Sequence, residues 1–148
     1  MKTSSNVKRM KHYHTYSASE TFDLGRKLGE TLSTSAVICL FGELAAGKTT
    51  FVKGLAYGVG QIDPSAVQSP TFTYLHIYEG TRKVYHFDLY RLRDIDEFLS
   101  MGFDEYFDAD GICCIEWSER IAPFLPSDSI RVTLEHVQED QRLVRITT

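Results

Sequence analysis

The sequence predicts a mixed α/β fold with parallel central strands, antiparallel additions and flanking helices, on three observations. Residues 36–41 and 112–115 are continuous apolar runs of strand length, the pattern of strands buried on both faces of a sheet. Between the first run and the helical pattern that follows lies a stretch bounded by Gly42 and Gly47. Residues 71–78 and 84–90 are rich in aromatic and β-branched side chains, and the short turn Glu79-Gly80-Thr81-Arg82-Lys83 between them reads as an antiparallel hairpin. With 148 residues, 43% hydrophobic and 24% charged, the chain has the composition of one folded domain with one core.

Taken in order, residues 1–12 are polar, carry Lys2, Lys8, Arg9 and Lys11, and have no periodic apolar face, so they read as a mobile basic tail before a domain at 13–148. A basic docking arm is the alternative reading of the same charges. A short strand is expected around residues 13–16. Ser17 then stands at capping-box spacing before Glu20, and Phe22, Leu24, Leu28 and Leu32 recur at helical intervals, which predicts an amphipathic helix ending near Thr31. The buried strand at 36–41 follows. From Lys48 to about Tyr57 the pattern is helical again, with Gly58, Gly60 and Pro64 expected to stop it. After the hairpin, residues 94–99 start an acid-rich helix and Phe103, Tyr106 and Phe107 mark a second helical segment. The chain closes with the buried run 112–115 and two strands, about 130–137 and 143–146, around the turn Gln138-Glu139-Asp140-Gln141.

Charge and cysteine content exclude several classes. Lys and Arg number 16 against 20 Asp and Glu, a net charge of -4, whereas a self-sufficient nucleic-acid binder carries a basic surplus on its face. No apolar run approaches the ~18 residues that span a bilayer, and the first residues lead into no apolar signal core, so neither membrane insertion nor secretion is expected. Cys39, Cys113 and Cys114 lie inside apolar runs without metal-ligand or CxxC spacing and read as reduced core residues of a cytoplasmic protein.

Gly42-Glu43-Leu44-Ala45-Ala46-Gly47-Lys48-Thr49 fits G-x-x-x-x-G-K-[ST] at every defining position, with a buried strand before it and a helix after it. That arrangement aims backbone N–H groups and the positive end of a helix at a phosphate. The fold expected is therefore P-loop NTPase-like. The backbone from Gly42 through Glu43, Leu44, Ala45, Ala46 and Gly47 to Thr50 would wrap phosphate oxygens, Lys48 would reach the β and γ phosphates, and Thr49 would offer its hydroxyl to magnesium. A metal-side acid should follow an apolar strand beside the loop. Glu116, after 112–115, fits better than Asp88, whose strand is interrupted by His86. Asp88 is then left to a metal-bound or attacking water, with a surface acid pairing Arg91 or Arg93 as its alternative. His86 reads as a hydrogen-bonded core histidine and Trp117 as packing. Thr71, in Ser69-Pro70-Thr71-Phe72, is either a strand-initiating turn residue or a nucleotide-sensing switch. Without an Asn-Lys-x-Asp stretch to read guanine, ATP is expected over GTP. The lack of a second Gly-rich loop or an Arg-rich lid counts against the alternative of a small-molecule kinase.

Four stretches in order, the loop through Thr50, Ser69-Pro70-Thr71-Phe72, Tyr85-His86-Phe87-Asp88-Leu89-Tyr90-Arg91 and Ile115-Glu116-Trp117-Ser118-Glu119-Arg120, resemble the TsaE family, the bacterial ATPases serving threonylcarbamoyladenosine formation on tRNA. The resemblance runs from about Ser17 to the C-terminal strands. It implies a switch role for Thr71, an essential acid at Asp88, magnesium ligation by Thr49 and Glu116, and a functional Trp117 at the nucleotide. It also implies an ATPase that resets a transferase made of TsaD-like and TsaB-like subunits, with tRNA contacted only through them. Ala45 departs from the glycine usual at its position, a change that costs ~1–2 kcal/mol where the backbone needs positive φ. A nucleotide-gated adaptor without required hydrolysis is the non-enzymatic alternative.

Overall fold

A computed structural model describes residues 8–33, 35–43, 46–70 and 72–148. The apolar run after Thr34 forms strand β2 (Ser35–Phe41), and the second run forms β5 (Gly111–Glu116), buried at every position. The two pair in parallel, with Leu40 opposite Glu116. β4 (Val84–Asp88) lies parallel on the far side of β5 and sets Asp88 opposite Glu116. β6 (Ile130–Gln138) lies parallel to β2 on its other side. Antiparallel strands complete both margins: β3 (Leu75–Tyr78) pairs with β4, and β7 (Gln141–Thr147) with β6 and with β1 (Met10–Thr15). The seven-stranded order is β1-β7-β6-β2-β5-β4-β3, the mixed sheet the sequence predicts. Because β2, β4 and β5 run the same way, their carboxyl ends, Phe41, Asp88 and Glu116, share one end of the sheet.

Each face of the sheet buries its own core. On one, helices α1 (Ala18–Thr31) and α2 (Lys48–Gly60) cover Ile38, Leu40, Cys114, Val132 and Val144. On the other, α3 (Ile95–Ser100) and the 3-10 segment Phe103–Asp108 close an aromatic cluster in which Phe87 and Phe98 meet Phe103 at centroid distances of 5.4 and 5.6 Å. Cys39, Cys113 and Cys114 are free and buried, as core residues should be. Among the described residues no helix is long and apolar enough to cross a membrane.

α1 starts as its sequence predicts. Ser17 caps it by accepting the Glu20 N–H at 3.1 Å, and the Glu20 carboxylate reaches back to the Tyr16 N–H at 2.8 Å. α2 runs past its expected end near Tyr57, through Gly58 to Gly60, and Gln61 closes it in the left-handed region at φ 56°. Its glycines serve contact, not termination. A β-carbon on Gly54 or Gly58 would come under 3.0 Å from the carbonyl oxygens of Phe22 and Arg26, and one on Gly25 or Gly29 of α1 would strike those of Phe51 and Leu55. Four glycines thus let the two backbones touch at a distance no side chain permits.

The expected tail ends too late. β1 starts at Met10, so Lys11 and His12 pair with Ile146 and Arg145, and Arg9 exchanges backbone hydrogen bonds with Thr148. This strand has one solvent face, which masks its pattern in sequence; residues 1–7 of the expected tail lie outside the described residues. The hairpin strands are shorter than expected because Tyr74 turns the chain with φ 66° and the Tyr90 N–H bonds Asp88 Oδ1 at 3.0 Å, ending β4 there.

The glycine contact sets a sign that propensity alone would reverse. In an exposed helix interior Gly54→Ala would stabilise by ~1 kcal/mol. Here overpacking against the Phe22 carbonyl should make Gly54→Ala lose roughly 2 kcal/mol or more in urea unfolding; a gain would show that the helices are not in backbone contact.

Candidate functional site

The glycine-rich stretch turns the chain from β2 into α2. Gly42 (φ 153°) and Gly47 (φ 99°) take backbone that disfavours other residues, and a β-carbon on Gly42 would clash with the Leu134 carbonyl. Gly47 stands at the N-cap of α2 with no side-chain cap bond, which leaves the first N–H groups of the helix open toward the sheet end. Arg142 of β7 braces the loop from outside. Its Nε donates to the Ala46 carbonyl at 2.9 Å, and its Nη1 donates to the carbonyls of Glu139 and Gln141, each at 3.0 Å.

Lys48 and Thr49 open the helix beside the carboxyl ends of β4 and β5. The Lys48 ammonium lies 3.9 Å from Glu116 Oε1 and 5.7 Å from the centroid of the Trp117 ring. Glu116 is 4% exposed, and its other oxygen is firmly held: Oε2 accepts from His86 Nε2 at 2.8 Å and from Ser69 Oγ at 3.1 Å. His86 is fully buried, and its Nδ1 lies 2.9 Å from the Tyr78 hydroxyl, which is 2.9 Å from the Gln68 carbonyl and receives the Gln68 N–H at 3.1 Å. Burial pushes the Tyr78 phenol up to about 12, so it stays a donor across physiological pH. Burial alone would raise the Glu116 carboxyl; the His86 hydrogen bond and charge, Lys48 and Ser69 together hold it below the usual glutamate value. Half-buried Asp88 goes the other way: burial and the nearby Glu116 charge raise it, against the Tyr90 N–H, His86 and Lys48.

These groups share one cavity of about 750 Å³, lined on its floor by Gly47, Lys48, Thr49, Thr50, Asp88 and Glu116. Tyr90, Arg91 and Trp117 form its outer wall, the Tyr90 and Trp117 rings 4.9 Å apart, with Arg142 also on its lining. Asp88 faces this space; of the two partners the sequence offered it, Arg93 pairs with Glu97 at 3.5 Å and Arg91 lies over the Phe72 ring. His86 is the bonded core histidine expected. Gly42, Glu43 and Ala46 line a neighbouring depression with β6, and Gly42 and Glu43 also line one with Lys48 and Trp117. Leu44, Ala45 and Thr71 lie outside the described residues.

Several participants escape sequence reading. Arg142 meets a loop 96 residues earlier, and nothing local marks it. Ser69 is marked by nothing local either, whereas His86 leaves a trace. Positions 84, 86 and 88 alternate onto one face of β4, and a polar side chain between Val84 and the strand end on an inner face requires a buried partner.

Strand, glycine loop, helix start and an acid on the adjacent parallel strand define an α/β protein of P-loop NTPase-like class. Residues 15–144 match the family described as threonylcarbamoyl adenosine biosynthesis protein TsaE. The chain belongs to that family. It is 40% identical over 130 residues to the tRNA threonylcarbamoyladenosine biosynthesis protein TsaE of Treponema pallidum, covering 88% of this chain and 95% of that one. It is 42% identical to the protein of the same name from Aquifex aeolicus, covering 88% and 90%. The crystal structure of Bacillus subtilis YdiB superposes with a TM-score of 0.77 at 29% identity, over 96% of this chain and 87% of that one.

The electrostatics of Asp88 yield a pH-dependent expectation. A carboxyl with a raised pKa in the folded state weakens the fold wherever it is ionised, and the penalty disappears as pH falls through that raised value. Asp88→Asn should therefore raise the thermal midpoint at neutral pH, with the gain shrinking as the pH is lowered through the carboxyl range. A midpoint that falls at neutral pH would show Asp88 to be stabilising.

Proposed function

We propose that this protein binds ATP with magnesium at the α2 end of the sheet and hydrolyses it in the service of threonylcarbamoyladenosine formation on tRNA. The observation that carries this reading is the convergence of Lys48 and Glu116 Oε1 at an uncapped helix start. Membership of the TsaE family supports the pathway.

The donor set fits magnesium. Among the described residues no group of three or more His, Cys, Asp or Glu stands ready to cage a metal alone. Magnesium does not need one, because it takes one or two protein oxygens, phosphate oxygens and waters. Glu116 Oε1 and the Thr49 hydroxyl would hold it, and bound there it would neutralise charge between the β and γ phosphates. The chain's own groups do the rest. Backbone N–H groups of Gly47 to Thr50 and the Lys48 ammonium bind and orient the phosphates. His86 and Ser69 fix Glu116 so that only Oε1 faces the nucleotide. Asp88, with its raised pKa, orients the water whose oxygen bonds to the γ phosphorus as the bond to the β-γ bridging oxygen breaks, releasing ADP and phosphate.

The protein works in the cytoplasm, and its ATP cycle resets a transferase of TsaD-like and TsaB-like subunits. At net charge -4 it leaves the tRNA to those subunits. Hydrolysis should be slow for the isolated protein and rise steeply, by up to ~10³-fold, when the two partner subunits are added. Phosphate-release kinetics with and without partners check this, and Lys48→Ala should abolish both rates while leaving circular dichroism unchanged. Fast turnover alone, indifferent to partners, contradicts the reading.

A further inference from the structure

Among the described residues that line the cavity, Arg91 is the cation whose side chain has neither a hydrogen-bond nor an ion-pair partner. It follows Asp88 by one short turn, and the next residue, Leu92, is buried with its N–H on the Leu89 carbonyl, while the Tyr74 hydroxyl, bonded to Glu97 Oε2 at 3.0 Å, lies 3.3 Å from the Arg91 carbonyl. Its side chain is exposed and lines the same cavity as Lys48. The guanidinium carbon lies 4.8 Å from the centre of the Phe72 ring, itself 81% exposed, and among the described residues no carboxylate comes within ion-pairing distance of it. Other arginines nearby are committed: Arg93 to Glu97, Arg120 to the Leu92 carbonyl, Arg142 to carbonyls around the loop.

A triphosphate with its magnesium still brings net negative charge, which groups of the chain must meet. Lys48 and Glu116 offset each other, and Asp88 adds only negative charge when ionised. Arg142 lines the same cavity from β7, with its guanidinium held by the carbonyls of Ala46, Glu139 and Gln141. Arg91 stands with Asp88 and Glu116, where the terminal phosphate of a bound triphosphate must lie if those acids serve its chemistry. A cation resting on an exposed ring is held weakly, and a guanidinium binds phosphate oxygens by two charge-assisted hydrogen bonds.

We propose that Arg91 is a γ-phosphate ligand, resting on Phe72 and drawn onto the terminal phosphate when a nucleoside triphosphate binds, so that it distinguishes ATP from ADP. This rests on the ATP reading above. The direct test is calorimetry of the full-length protein with magnesium and either ADP or the non-hydrolysable β,γ-imido analogue of ATP. Arg91→Ala should weaken the analogue roughly tenfold to a hundredfold while ADP stays within about twofold. Phe72→Ala, which removes only the resting place, should not weaken the analogue. Equal losses for both nucleotides, no loss for either, or a Phe72→Ala defect matching that of Arg91→Ala would each overturn the assignment. Wild-type protein that binds neither nucleotide would instead remove the ATP reading on which it stands.

Discussion

The buried carboxylate of Glu116 is the constraint around which the site is arranged. An ionised carboxylate removed from water is costly by several kcal/mol unless charge and hydrogen bonds replace its hydration. Here three elements supply them: His86 from β4, Ser69 from the segment before β3, and Lys48 from α2. Removing any one partner leaves charge poorly compensated, so the same contacts that stabilise the anion also fix the relative positions of β4, β5 and the start of α2. The division of labour within the carboxylate follows. Oε2 is held by His86 and Ser69, and Oε1 lies 3.9 Å from the Lys48 ammonium. The Gln68–Tyr78–His86 chain behind it sets the orientation of the imidazole, as outer hydrogen bonds do for many functional side chains.

The helix layer serves the same end from the other side. Lys48 and the open N–H groups of α2 are useful only if the helix starts at one defined height above the sheet. The reciprocal glycine contacts with α1 fix that height, since two backbones in van der Waals contact have little freedom to shift. Each interior glycine costs helix stability of roughly 1 kcal/mol relative to alanine, which a helix tolerates when tertiary contact repays it. Arg142 adds a brace at the loop itself, tying the Ala46 carbonyl to the β6–β7 hairpin.

What the sequence discloses divides along physical lines. β2, β5 and the start of α2 are legible because continuous apolar runs and the glycine spacing are local signals, and the parallel pairing that puts Glu116 at the loop follows from them. The end of α2 is misread because Gly58 looks like a stop when only the partner helix reveals it as a contact. β1 is misread from residue 10 because an edge strand with one wet face alternates weakly. The supports of the site are the least legible part. Arg142 and the Gln68–Tyr78–His86 relay are brought together by register and crossover, which no short window of sequence contains.

If Lys48 and Oε1 of Glu116 form a magnesium-dependent nucleotide site, Trp117, the single tryptophan of the chain, lies on its wall. Its intrinsic fluorescence would then report on occupancy. Titration with ATP should change the emission saturably in the presence of magnesium and far more weakly when the metal is chelated. Emission unaffected by ATP, or changed equally with and without magnesium, would contradict the account.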